Sequence, residues 1–256
     1  MIKTLKKQVK WRKDKNYLFI CDCKNLIDLK LSLEHEHFLE KLFQGITFEE
    51  LNEIEKLIFL EFDKMNLLTN IEIKKLPLED FYLAMNILDN EIGKDRVRNF
   101  DFLKKKFLEF SNYFIGIYLG KEIVGIVCGF PREDYLLMGE LAVDCRFQRR
   151  KFGRKLVKEF EKIGFKKFNK INAGASDTAI EFYKSLGYKP FLLVQFEKGI
   201  YNKKDFSNFE ILNIKEYGFE LKIKECNINE LNKLRKNYPK ANLQYIFVKK
   251  KLKDNS

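Results

Sequence analysis

The chain has 256 residues, a formal net charge of +12, 45% hydrophobic and 14% aromatic residues, and only 4 Pro and 13 Gly. That length holds one large domain or two small ones with a sizeable core, and the composition argues against a low-complexity or disordered chain. No run of about 18 apolar residues occurs, and the basic start MIKTLKKQVKWRKDKNYLF lacks an apolar signal segment, so a cytoplasmic protein without a membrane span is expected.

The positive charge is uneven. Residues 1–70 hold 12 Lys/Arg against 12 Asp/Glu, residues 71–196 hold 23 against 17, and residues 197–256 hold 14 against 8. The 5 Cys are an odd, scattered set, and 21-CDC-23 has the wrong spacing for a zinc or redox pair. Reduced thiols and no metal site are expected. His35 and His37, two apart, would face different sides of a helix, so they form no ligand or catalytic pair.

In chain order, 17-YLFIC-21 and 26-LIDLKL-31 read as a hairpin through DCKN. Helices follow over 33–43 and 48–68, the second opened by Thr47 with Glu50 three residues on, a capping-box spacing. A boundary is expected near residue 70, followed by a strand 71–76 and, past Pro77, helices 78–90 and 94–110. The runs 113-YFIGIYLG-120 and 122-EIVGIVCGF-130 read as a second hairpin, and 135-YLLMGELAV-143 as a strand. Then come a basic turn, a helix 152–167, strand 170–174, helix 177–186 and strand 188–196. The last sixty residues read as strands 209–214 and 217–225, a helix 229–238, a strand 243–251 and a frayed tail over 249–256. The order is that of an α/β (α+β) fold, with domains at 1–70, 71–196 and 197–256.

The basic turn 146-RFQRRKFGRKL-156 carries six cations and no anion. A turn from a strand ending at Val143 to a helix starting near Phe152 aims unpaired amides and the positive helix pole at one point, which suits phosphate. Cations in a first helical turn oppose the dipole, so a merely solvated face would carry acids there. A nucleic-acid patch is disfavoured because aromatic interleaving is sparse.

The run 139-GELAVDCRFQRRKFGRKLVKEFEKIGFKKF-168, followed by 175-ASDTAIEFYKSLGYKPF-191, resembles the GNAT superfamily of acetyl-CoA-dependent N-acetyltransferases. The family's pyrophosphate motif falls on Gln148, Arg149, Arg150, Lys151, Phe152 and Gly153. Gln148 and Gly153 match, and Lys151 stands where the first Gly is usual. A second signature, Ala179, Phe182, Tyr183, Leu186, Gly187 and Tyr188, is kept, with Ser176 in place of the usual Asn. The resemblance spans about residues 71–196 and implies a GNAT-like mixed central sheet flanked by helices.

The resemblance also implies a mechanism. Acetyl-CoA is the cosubstrate, its pantetheine pairing with the strand at Leu141, Ala142 and Val143. Its pyrophosphate lies on the amides from Arg149 to Arg154, with basic side chains reaching the outer phosphates. Tyr183 aligns with the tyrosine that protonates the departing thiolate, and is equally readable as a core aromatic. Glu140 can take the amine proton directly or through water, or be an ordinary strand-end carboxylate. Cys128 and Cys145 have no His in this region to activate them.

The hairpin and helices of residues 1–70, with 44-QGIT-47 linking the helices, are similar to PqqD-like peptide-recognition domains of winged-helix type. That implies capture of a peptide or protein substrate; the alternative is a helical extension that stabilises the transferase or its homodimer. The sequence therefore predicts an N-acetyltransferase acting on an amine of a peptide, protein or small molecule. The competing prediction is a non-catalytic protein of degenerate GNAT fold that recognises a peptide or nucleic acid.

Overall fold

A computed structural model describes residues 1–93 and 99–252. The chain divides into two compact units, the first of residues 1–128 and 140–160, the second of residues 129–139 and those from 161 onward.

The first unit opens with β1 (Ile2–Leu5), β2 (Val9–Lys13), β3 (Tyr17–Asp22), β4 (Ile27–Ser32), α1 (Glu36–Gln44), the two-residue β5 (Ile46–Thr47) and α2 (Glu53–Lys64). Strands β2, β3 and β4 form a separate antiparallel sheet, with Trp11 opposite Ile20 and Ile20 opposite Leu29. Leu18, Ile20, Phe38, Leu39, Leu42, Phe59 and Phe62 pack with Leu5 and Leu68 into one apolar cluster. Each such side chain contributes roughly 1.5–3 kcal/mol by leaving water.

The Thr47–Glu50 capping box exists, since Glu50 Oε2 accepts from the Thr47 amide at 2.8 Å and hydroxyl at 3.0 Å. It heads only a short 3-10 turn over Phe48–Glu50. The chain is extended again at Leu51, and a second box, Asn52 with Glu55, starts α2. The helix expected from residue 48 to 68 is therefore interrupted at its start and shorter at its end.

Strand β6 (Leu68–Lys75) runs through residue 70 and pairs with β1, Leu5 opposite Leu68. Helices α3 (Phe81–Ile92) and α4 (Phe100–Phe110) follow; residues 94–98, where the second helix was expected to begin, lie outside the described residues. Phe81 meets Phe107, and Phe107 meets Phe114 at the head of β7 (Phe114–Leu119), tying both helices to the sheet. With β8 (Glu122–Pro131), the sheet order in this unit is β5-β1-β6-β7-β8, antiparallel where the register is recorded from β5 to β8. The last four residues of β9 (Leu136–Val143) come next to β8. Helix α5 (Phe152–Gly164) buries Phe152, Leu156, Val157 and Phe160 along one face.

The second unit takes the first part of β9, then β10 (Lys170–Gly174), α6 (Ile180–Ser185), β11 (Lys189–Gln195), β12 (Ile211–Lys215), β13 (Gly218–Leu221), α7 (Ile228–Asn237) and β14 (Asn242–Lys250). Its sheet order is β9-β10-β14-β11-β13-β12. The β9–β10 pair is parallel over Leu136–Met138, and the other recorded pairs are antiparallel, so the sheet is mixed. Strand β14 inserts between β10 and β11, which puts Lys249 and Lys250 in the ladder and not in a tail. Residues 253–256 of the expected tail lie outside the described residues. Helices alternate with runs of strands along the chain, and the mixed sheet flanked by helices is the α+β architecture that the sequence implies.

Candidate functional site

In the first unit, the chain leaves β9 at Val143 and turns through residues 144–151 into α5. Strand β8 can approach this point because residue 125 is glycine. A Cβ there would stand 2.9 Å from the Ala142 carbonyl and 3.0 Å from Ile117, too close for any other side chain without movement of β9. The register of β9 with β10 is recorded only over Leu136–Met138, whereas β9 runs on to Val143. Leu141, Ala142 and Val143 lie past that pairing, on the stretch that enters the turn.

The turn is built by local bonds. Asp144 accepts from the Arg146 amide at 3.0 Å and receives the Arg146 guanidinium, which holds its carboxyl below the usual range. Arg146 also reaches Glu122 at 3.3 Å. Glu91, from the end of α3, accepts from the Cys145 amide at 2.8 Å and from Gln148 Nε2 at 2.9 Å; Gln148 donates to the Val143 carbonyl as well. Glu91 is a positioning residue that sequence reading missed, because nothing in the sequence links it to residues 54 and 57 positions away.

Two residues of the turn, Arg149 (φ 64°) and Lys151 (φ 58°), take the left-handed conformation. That region suits glycine and costs other residues roughly 1–2 kcal/mol. Lys151 thus stands in the backbone state that glycine adopts easily, at the position where the expected motif has Gly. The first bond of the helical ladder runs from the Lys155 amide to the Lys151 carbonyl at 3.1 Å; the amides before it point along the α5 axis without an intrahelical partner, so a strand-to-helix turn of this shape suits an anion.

The six cations of the turn separate into groups. Arg146 is committed to Asp144 and Glu122. Arg150, expected to reach a phosphate, turns inward: it is 1% exposed, donates to the Leu5 carbonyl at 3.1 Å, and lies over the Phe43 ring at 4.2 Å. Burial lowers its pKa to about 10, so it remains charged at neutral pH. Its Nε has no partner among the described residues. The correction has a plain cause, since a guanidinium packed on the Phe43 and Phe147 rings buries its flat faces while its edge donates to a carbonyl. Arg149 and Lys151 are exposed, and Arg154 and Lys155 half-buried on α5. Phe152 is buried in the core and Gly153 continues the helix. Glu140 is half-buried on β9.

Tyr183 and Ser176 belong to the second unit. Tyr183, 6% exposed, stacks on Phe247 with centroids 5.4 Å apart, and its hydroxyl lies 3.8 Å from Met138 Sδ. Burial pushes the phenol up to about 12. Ser176 is exposed ahead of the turn into α6, its hydroxyl 3.2 Å from that of Thr178. In the same unit Lys249 pairs with Glu161 at 2.8 Å and donates to the Leu186 carbonyl, fixing the end of α6.

Residues 73–188 match the model of the acetyltransferase (GNAT) family. None of the curated protein sequences matches the chain. Among solved structures, the chain is similar to Ard1 from Thermoplasma volcanium, at 15% identity and a TM-score of 0.48, over 72% of this chain and 99% of that one. It is also similar to the ribosomal-protein-S18-alanine N-acetyltransferase from Escherichia coli, at 12% identity and a TM-score of 0.46, over 73% and 99%. N-acetylglutamate synthase from Neisseria gonorrhoeae, complexed with coenzyme A and N-acetyl-glutamate, matches at 12% identity and a TM-score of 0.42, over 72% of this chain and 36% of that one.

Proposed function

With residues 73–188 an acetyltransferase domain of the GNAT family, we propose that the protein transfers an acetyl group from acetyl-CoA to an amine of a peptide, protein or small molecule. The observation that carries the cofactor assignment is the turn after β9. Its left-handed Arg149 and Lys151 keep a glycine-type backbone at the start of α5, where amides converge to receive a pyrophosphate. The backbone of Leu141, Ala142 and Val143, past the recorded β9–β10 register, would pair with the amide-bearing arm of the cofactor as an added strand would. Gln148, Phe152 and Gly153 shape the turn, and Arg149 and Arg154 bring charge to it.

Transfer needs a neutral amine. Its nitrogen attacks the thioester carbonyl carbon, the C–S bond breaks, and the sulfur leaves as a thiolate that must be protonated. Glu140 is assigned to accept the amine proton, directly or through water. Tyr183 is assigned to return a proton to the thiolate; the burial that raises its phenol keeps it protonated at neutral pH, the form an acid requires. Residues 1–70 are assigned as an accessory segment that binds the acceptor, 71–196 as the transferase and 197–256 as an extension, all in a cytoplasmic protein. No described helix is long and apolar enough to cross a membrane.

The withdrawal of Arg146 and Arg150 from the phosphate-facing set favours the competing reading, a non-catalytic binding protein. Calorimetric titration with acetyl-CoA, CoA and dephospho-CoA decides between them. Binding that weakens for the dephospho form supports the transferase, and absence of binding to all three supports the alternative.

A further inference from the structure

Helix α5 carries a cationic stripe away from its core face. Arg154, Lys155 and Lys158 recur at helical spacing, and together with Lys151 of the preceding turn they line a cavity of about 430 Å³ in the first unit. The opposite wall comes from the end of α1 and from β5, and adds Lys41. Glu50 is the one carboxylate among the lining residues. That carboxylate is already held by the Thr47 amide and hydroxyl. Lys41, Lys151, Lys155 and Lys158 make no ion pair among the described residues. Burial together with the charges of Lys158 and Lys151 lowers the pKa of Lys155 against the opposing pull of Glu50.

Like charges gathered in a partly desolvated cleft repel one another, and its lining brings one carboxylate against four lysines. A compact, multiply charged anion would relieve that repulsion, and ammonium groups arranged around a cavity suit phosphate oxygens. We propose that the cleft between α1, β5 and the outer stripe of α5 is a binding site for a phosphate-bearing ligand, held by Lys41 together with Lys151, Arg154, Lys155 and Lys158. The site differs from the amide cradle of the turn: Lys41 and Lys158 lie outside the 148–154 motif, and Lys41 belongs to the N-terminal segment. It does not depend on acetyl transfer.

The test is calorimetric titration of the full-length protein with inorganic pyrophosphate, as wild type and as Lys41→Gln, Lys158→Gln and Lys64→Gln. The last removes the same charge from the exposed end of α2. Lys41→Gln and Lys158→Gln should each bind about tenfold more weakly, the loss expected for one charge-assisted hydrogen bond, while Lys64→Gln stays within about twofold of wild type. Equal affinity in all four proteins, or no pyrophosphate binding by wild type, overturns the site.

Acetyl-CoA and dephospho-CoA distinguish the source of the phosphate. If Lys41→Gln abolishes a preference for acetyl-CoA over its dephospho form, the cleft takes the cofactor's outer phosphate. If the preference is unaltered and pyrophosphate still binds at saturating acetyl-CoA, the cleft takes a separate phosphorylated ligand. Both results support the site. A protein that binds pyrophosphate in this Lys-dependent way but does not bind acetyl-CoA keeps the cleft and loses the acetyl-transfer reading.

Discussion

The two stretches that carry the family resemblance are built in opposite ways. The turn at residues 148–153 departs from the expected letters, with Lys151 where Gly is expected, yet Lys151 takes a φ of 58°, a left-handed form that suits glycine. The stretch from Ala179 to Tyr188 keeps its letters, and there the central tyrosine is packed as a core aromatic against Phe247. A motif that works through backbone amides can change its side chains if the conformation survives. A motif that works through a side chain can keep every letter while burial changes that side chain's chemistry.

The sharpest way to break the first half of this contrast is to disturb what holds the turn. Arg150→Ala removes a buried side chain that bonds the Leu5 carbonyl and covers Phe43, and should lower stability by about 3 kcal/mol. Arg150→Met, which refills the volume without a desolvated charge, should lose less; chemical denaturation of both variants checks the order. Gly125→Ala places a Cβ against the Ala142 carbonyl. It should reduce stability by about 2 kcal/mol and weaken acetyl-CoA binding as well, read by calorimetry, because the displaced atoms belong to the strand assigned to the cofactor.

Tyr183→Phe tests the second half. As the acid, Tyr183 should be missed in turnover by about tenfold with little change in cofactor affinity, and unchanged turnover would leave it a packing residue. Its pH signature is separate. A phenol raised from 10 to about 12 by burial contributes stability that is fully present below pH 10 and lost as pH rises from 10 to 12. Wild type should therefore lose more stability over that window than Tyr183→Phe, in denaturation curves taken at both ends. The smallest effect is expected for Lys151→Gly. Relief of the left-handed strain is largely offset by the added freedom of the unfolded chain, so stability should change by less than about 1 kcal/mol. Binding of acetyl-CoA should be kept if the amides carry it.

Much of this was legible in the sequence because periodicity reports burial. The second hairpin, β9, the start of α5 and the strands of the second unit follow their apolar patterns. The strands β1 and β2 were not legible: IKTL and VKWRK are short and lysine-rich, and their pairing with distant β6 and with β3 decides them. The capping box at Thr47 was read correctly, but its spacing could not show that Leu51 extends the chain again before α2. In the candidate site, the sequence places the turn and its charge but not the direction of each cation. Arg149 and Arg150 are adjacent and alike in letter; one is exposed and the other buried against Leu5, 145 positions earlier. Likewise Glu91 and Lys41 reach the turn and the cleft through tertiary packing, which no local pattern encodes.

The central claim is that the turn after β9 holds acetyl-CoA through its backbone. Titration of wild type and Lys151→Gly with acetyl-CoA tests it most directly. Saturable binding in both proteins, with the glycine variant within about tenfold of wild type, the share of one side-chain contact, is the predicted result. Absence of binding in wild type, or its loss in Lys151→Gly, would contradict a backbone cradle.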